Sequence, residues 1–208
     1  TTEIYTLSLH DALPIYSSRN TDNDILLTIY KEPVSVYRLK DIAILVNETD
    51  FNSLNGKLNY YVRSGKLLNP RKGIYAKPGF TAEEVACKLY TPSYISLQYV
   101  LQRSGMIFQY DSAVTSVSYL SRSVDLDGQA LVYRKMKGSV LVNTRGILRE
   151  KGISIATAER AFLDLCYLDI YYYFDNLHPL NRDKISQLLP VYQNAALNKR
   201  VTKLLLND

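Results

Sequence analysis

The sequence predicts an α+β protein of two unequal units. A small helical one closed by a basic hairpin spans residues 16–78, and a larger mixed α/β one spans residues 79–208. Three observations predict it. Apolar residues recur at helical spacing in the stretches before Pro70, from Ile25 and Ile29 to Leu54 and Leu58. After Val114 the period changes to the alternation of strands. Charge is segregated as well: residues 51–80 carry six basic side chains (Lys57, Arg63, Lys66, Arg71, Lys72, Lys77) and no acidic one, whereas residues 16–50 carry four basic and six acidic. Such an asymmetry suits contact with a polyanion.

The ends and the composition bound the reading. Thr1 to Ile15 (TTEIYTLSLHDALPI) back-translates without a mismatch to a sequence resembling a common sequencing adapter. It is expected to be a non-native scar, so His10 and Asp11 carry no chemistry and native sequence begins near Tyr16. No run of residues approaches the length of a membrane span, and a cytoplasmic location is expected. Cys87 and Cys166 lack CxxC spacing, so neither zinc nor a structural disulfide is expected.

The elements follow in order. Thr21 can cap a first helix with Asp22 and Asp24 in its first turn, Ile25, Leu26 and Ile29 form its apolar face, and Pro33 ends it. Ser35 can cap a second helix carrying Leu39, Ile42 and Ala43. A third helix from about Asn52 to Ser64 places Leu54, Leu58, Tyr61 and Val62 on one stripe and stops at Gly65. Lys66-Leu67-Leu68 and Ile74-Tyr75-Ala76 read as two short strands around the turn Asn69-Pro70-Arg71-Lys72-Gly73. Three helices and a basic hairpin make a winged helix-turn-helix, whose third helix enters the major groove while the wing lies along phosphates.

DNA contacts are therefore expected from Ser53, Asn55, Lys57, Asn59, Tyr60 and Arg63 on the third helix and from Arg71 and Lys72 in the wing. Asn and Arg make paired hydrogen bonds to adenine and guanine edges, and small residues such as Ser53 and Gly56 let a helix lie close to the duplex. Four to six phosphate contacts would give log K a slope against log salt of about −4 to −5. Winged helices also serve as protein-docking modules, and that alternative stays open.

In the larger unit Thr81 and Glu84 form a capping box for a helix through Lys88, and Pro92-Ser93 precede another carrying Ile95, Leu97, Val100 and Leu101 up to Gly105. Val114 to Leu120 reads as a strand, and Asp127-Gly128 as a hairpin turn leading into Ala130 to Met136. Ser139 to Asn143, Ile147 to Arg149 and Gly152 to Ile155 read as further strands. Thr157 caps a helix over 158–168, and residues 182–206 read as helical with a break at Pro190. Arg160 and Asp164 lie four apart on one helix face, an ion pair rather than a site.

The string Pro92-Ser93-Tyr94-Ile95-Ser96-Leu97 with Gly105 after it, and the string Gly152-Ile153-Ser154-Ile155-Ala156-Thr157-Ala158-Glu159-Arg160-Ala161-Phe162-Leu163-Asp164, resemble segments of the AbiEi-family antitoxins. Lys72-Gly73-Ile74-Tyr75 at the end of the winged helix matches the family's N-terminal half, and the resemblance covers about residues 20 to 170. It implies an antitoxin of a bacterial type IV toxin-antitoxin system, of the kind used in phage defence. Such a protein binds double-stranded DNA at its own promoter and counters a nucleotidyltransferase-like toxin encoded beside it, with or without a stable complex. The alternative is a winged-helix transcription regulator whose C-terminal domain senses a ligand or a protein. An enzyme is not expected, nor a cofactor: there is no P-loop, GxGxxG, GxSxG or HExxH, and no Asp-x-Asp follows Gly138-Ser139.

Overall fold

A computed structural model describes residues 21–206. The Thr1–Ile15 segment, and the side chains of the expected cap at Thr21, Asp22 and Asp24, lie outside the described residues. The chain is a mixed α+β structure with two sheets, one of three strands and one of six.

The first helix, α1 (Thr21–Lys31), buries Ile25 and Ile29 and stops before Pro33, whose ring disfavours helix at the residue preceding it. A short strand, β1 (Val36–Arg38), follows where the sequence suggested only the approach to a second helix. Ser35 is not a helix cap. Its amide donates to Glu84 Oε1 at 3.0 Å and its carbonyl accepts from the Lys77 amide at 2.9 Å, so it extends the strand. The second helix, α2 (Leu39–Leu45), starts instead at Arg38, whose amide donates to the Asp41 carboxylate at 3.1 Å.

Asp50 caps α3 (Phe51–Arg63), accepting from the Asn52 and Ser53 amides at 2.9 and 3.1 Å. Leu54, Leu58 and Tyr61 are buried as expected, packed with Ile25, Ile29, Tyr37, Ile42, Leu67 and Tyr75 in a small core. Gly65, at φ +71°, ends the helix, and the Lys66 amide returns to the Tyr61 carbonyl. The hairpin is tighter than the sequence suggested. Asn69 and Pro70 belong to β2 (Leu68–Arg71), β3 is Ile74–Ala76, and only Lys72 and Gly73 turn. The Asn69 side-chain amide replaces the missing ladder bonds around Pro70 by donating to the carbonyls of Arg71 and Ile74. The strand order is β1-β3-β2, antiparallel throughout.

The larger unit opens with α4 (Ala82–Leu89), where Thr81 and Glu84 form the expected capping box. Its sheet runs β6-β7-β5-β4-β9-β8. Here β4 is Ser93–Ile95, β5 Val114–Ser118, β6 Arg122–Leu126, β7 Gln129–Lys135, β8 Ile147–Glu150 and β9 Ile153–Ala156. Parallel pairs β5·β7 and β4·β9 alternate with antiparallel ones. Three expectations are corrected. Ile95 lies in β4 and only Gln98–Arg103 (α5) is helical, because the strand hydrogen bonds of Ser93 to Ile95 with β5 outweigh the helical spacing of Ile95, Leu97 and Leu101. The Asp127-Gly128 turn joins β7 to β6, not to the Val114 strand, which pairs with β7 in parallel. Gly138–Leu141 is a single helical turn, α6, instead of a strand.

Thr157 caps α7 (Ala158–Leu168), which is buried over Glu159–Cys166. Then α8 (Arg182–Leu188), a 3₁₀ turn over Leu189–Val191 containing Pro190, and α9 (Ala195–Leu206) complete the fold. Gly146 has to be glycine, since at φ +72° a Cβ would come within 3.0 Å of the Arg160 Cβ. The larger core also takes in Val36, Ile74 and Ala76 from the three-stranded sheet.

Candidate nucleic-acid interface

Helical geometry decides which α3 side chains face outward. With Leu54, Leu58 and Tyr61 inward, a 100° step per residue sets Asn52, Gly56, Asn59, Tyr60 and Arg63 on the opposite side, and Asn55 and Lys57 on its flanks. Burial agrees except at Asn59: Asn52, Ser53, Asn55, Gly56, Tyr60 and Arg63 are exposed, while Lys57 and Asn59 are half-buried. Gly56 has open space where a Cβ would stand, which leaves a shallow notch between Asn52, Asn59 and Tyr60.

Asn55 is held in place by its neighbour. The Tyr75 hydroxyl donates to its Oδ1 at 2.6 Å, which fixes the amide plane and takes one of the two lone pairs of the oxygen that a paired bond to adenine would use. Asn52, which the sequence reading used only to start the helix, faces out instead. Its signal was the half-turn offset from Leu54, legible once the buried stripe is fixed.

Beside the half-buried Lys57, the other five cations of residues 51–80 separate into two groups. Arg63, Lys66 and Lys72 are exposed, with Lys72 at the tip of the hairpin beside Gly73 at φ +80°. Two others are engaged within the chain. Arg71 Nη1 donates to the Asp125 carbonyl at 3.2 Å, tying the hairpin to the β6 strand end. Lys77 Nζ donates to the Glu32 carbonyl and sits 5.8 and 5.9 Å from the ring centroids of Tyr30 and Tyr37. Burial lowers the Lys77 pKa, with Glu32 and Glu84 pulling it back up. The eight residues expected to meet DNA therefore share one surface only in part: Arg71 is turned toward the larger unit.

No family model matches the chain, and no curated protein does. Among solved structures, the RV2827C protein from Mycobacterium tuberculosis is similar at 13% identity and a TM-score of 0.48, over 89% of this chain and 76% of that one. A likeness that remote carries no functional argument.

The strings in the larger unit build one buried polar cluster. Arg160 and Asp164 have no exposed side-chain surface and pair through Nε at 3.3 Å. Arg160 also donates to the carbonyls of Arg145 and Val140 and to the Tyr94 hydroxyl. Asp164 accepts from Tyr94, from Ser96 at 2.8 Å and from Tyr192 at 2.7 Å. Burial pushes the Asp164 carboxyl up against the pull of Arg160 and the hydroxyls. Desolvation works against the Arg160 charge too, but Asp164 and the tyrosines outweigh it and raise its pKa. The two shifts disagree about the ionised pair. Four donors converge on one carboxylate, and a guanidinium cannot accept the proton a neutral acid would offer, so we take the pair as ionised at neutral pH. Tyr94 and Ser96 serve this cluster and are buried.

The aromatic run Tyr171-Tyr172-Tyr173-Phe174 splits between core and surface. Phe174 is buried and Tyr172 half-buried, whereas Tyr171 and Tyr173 are exposed. Among the described residues no group of three or more His, Cys, Asp or Glu side chains is placed to hold a metal. Nor is any helix among them long and apolar enough to cross a membrane.

Proposed function

We propose that the chain is a DNA-binding autorepressor and antitoxin. The small unit acts as a winged helix-turn-helix with α3 in the major groove and the Lys72-Gly73 turn against the phosphates. The larger unit counters a nucleotidyltransferase-like toxin. The observation that carries the DNA reading is the outward face of α3, Asn52, Gly56, Asn59 and Arg63, beside an exposed cationic turn in a segment without carboxylates. Helix, notch and turn supply base-edge donors and phosphate contacts together. The order α1-β1-α2-α3-β2-β3, with β1 closing the sheet against β3, also supports the winged-helix reading. The antitoxin half rests on the resemblance of the Pro92–Leu97 and Gly152–Asp164 strings.

The test is twofold. Binding of the full chain to duplex from upstream of its own reading frame is measured over a salt series. The same gene is then co-expressed with a nucleotidyltransferase-like toxin encoded beside it. Operator binding with rescue of growth is the expected result. Binding without rescue leaves the DNA reading and removes the antitoxin one; no preference for the upstream duplex over random duplex removes the first.

A further inference from the structure

A cleft of about 460 Å³ opens where the small unit meets the larger one. Its wall brings together Arg38 from the end of β1, Lys88 from the last turn of α4 and Arg149 from β8, three cations from elements remote in sequence. Hydroxyls of Thr91, Ser93, Thr144 and Ser154 lie between them, and no carboxylate is among the described lining residues. The nearest counter-charge, Asp41, is shared: it bonds Arg38 Nη2 and Lys88 Nζ at 3.1 Å each. One carboxylate thus faces two cations, and Arg149 has no ion pair among the described residues. Arg38 Nε, moreover, is buried from solvent without an acceptor. That atom is closed to the cleft as well, so it is the charge of the side chain, not this donor, that faces the cavity.

We propose that this cleft binds a small organic phosphate. The negative charge of a phosphoryl group balances the cations that Asp41 leaves uncompensated, with the Arg38 and Arg149 guanidiniums and the Lys88 ammonium around it. The size falls within the range of small-molecule sites, and the apolar side chains of Leu141, Val142, Ile147 and Pro92 offer contact to the carbon skeleton. The site is independent of whether α3 meets DNA.

The full chain is titrated with glycerol 3-phosphate, with glycerol as the uncharged control, and binding is followed by calorimetry. Saturable binding of the phosphate alone is expected. Arg149→Ala removes an exposed side chain, so the variant keeps its fold, and it should weaken binding about ten- to a hundred-fold. Lys88→Gln should weaken it in the same direction, and Lys199→Ala, on α9, should leave it unchanged. Equal binding of glycerol, absence of saturation, or an affinity that Arg149→Ala does not alter overturns the proposal. Equal weakening by Lys199→Ala, which shows only net charge at work, overturns it too.

Discussion

Replacing Arg160 by methionine tests the buried cluster most directly. The substitution keeps an unbranched stem as far as the Nε position but removes the donors to Asp164, Tyr94 and the carbonyls of Arg145 and Val140. Asp164 is left with hydroxyl donors alone in a site without exposed surface. Breaking a fully buried pair in this way costs about 3–5 kcal/mol, because the remaining charge is neither solvated nor paired. Against a total stability of about 5–15 kcal/mol, that is roughly a fifth or more of what holds the chain folded. The double variant Arg160→Met with Asp164→Leu removes both charges and orphans only neutral groups, the hydroxyls of Tyr94, Ser96 and Tyr192 and the carbonyls of Arg145 and Val140, so its loss should fall well short of the summed singles. Urea unfolding followed by circular dichroism measures all of these. A loss below about 1 kcal/mol for Arg160→Met at unchanged denaturant slope would refute the reasoning, since water would then have access to the pair.

With Arg71 and Lys77 tied inside the chain, the exposed cations Arg63, Lys66 and Lys72 are left to face phosphate, and the salt slope of operator binding should be about −3, shallower than the sequence alone suggests. Lys72→Ala should flatten it by about one while Arg71→Ala leaves it nearly unchanged; equal flattening by both would mean that the Arg71 contact with Asp125 opens on DNA. Burial pushes the Asp41 carboxyl up, but hydrogen bonds from Arg38 and Lys88 outweigh it and hold the pKa below its ordinary value. A depressed carboxylate pKa stabilises the fold above the unfolded-state value and loses that contribution as pH falls through the folded one. The deficit of Asp41→Asn should therefore persist from neutral pH to about 4 and vanish only below it, in acid titrations of stability. Burial raises the Cys87 thiol and pushes the Cys166 thiol up to about 12, so iodoacetamide at mildly alkaline pH should label neither until the protein unfolds. Rapid labelling of the native chain would show that the helix carrying the reactive thiol opens locally.

Local rules were legible wherever a residue type acts within one turn. Thr81 with Glu84, Thr157 before α7, Gly65 after α3 and Asp127-Gly128 each mark an end or a turn that the structure keeps. Short strands were not. Val36–Arg38 and Ser93–Ile95 are three residues long, too few to show alternation, and owe their form to partners at Ala76 and Ser118. Arg122–Leu126 is an edge strand with an exposed face, which hid it among turn residues. The outward face of α3 could be read from its apolar stripe. Its fine structure could not, since Tyr75 lies 20 residues from Asn55 and Asp125 lies 54 from Arg71.

The sharing of Val36, Ile74 and Ala76 with the larger core carries a consequence for how the molecule denatures. Two lobes joined by a linker melt separately, each with its own midpoint. Here β1 and β3 present one side to the small core, through Tyr37 and Tyr75, and the other to α4 and the sheet beyond. Cutting the chain near Pro78 would bare the second side and leave the first sheet covered on one face only. The heat-absorption trace of the intact chain should accordingly be a single peak, and a fragment ending at that proline should melt far below it or not cooperatively at all.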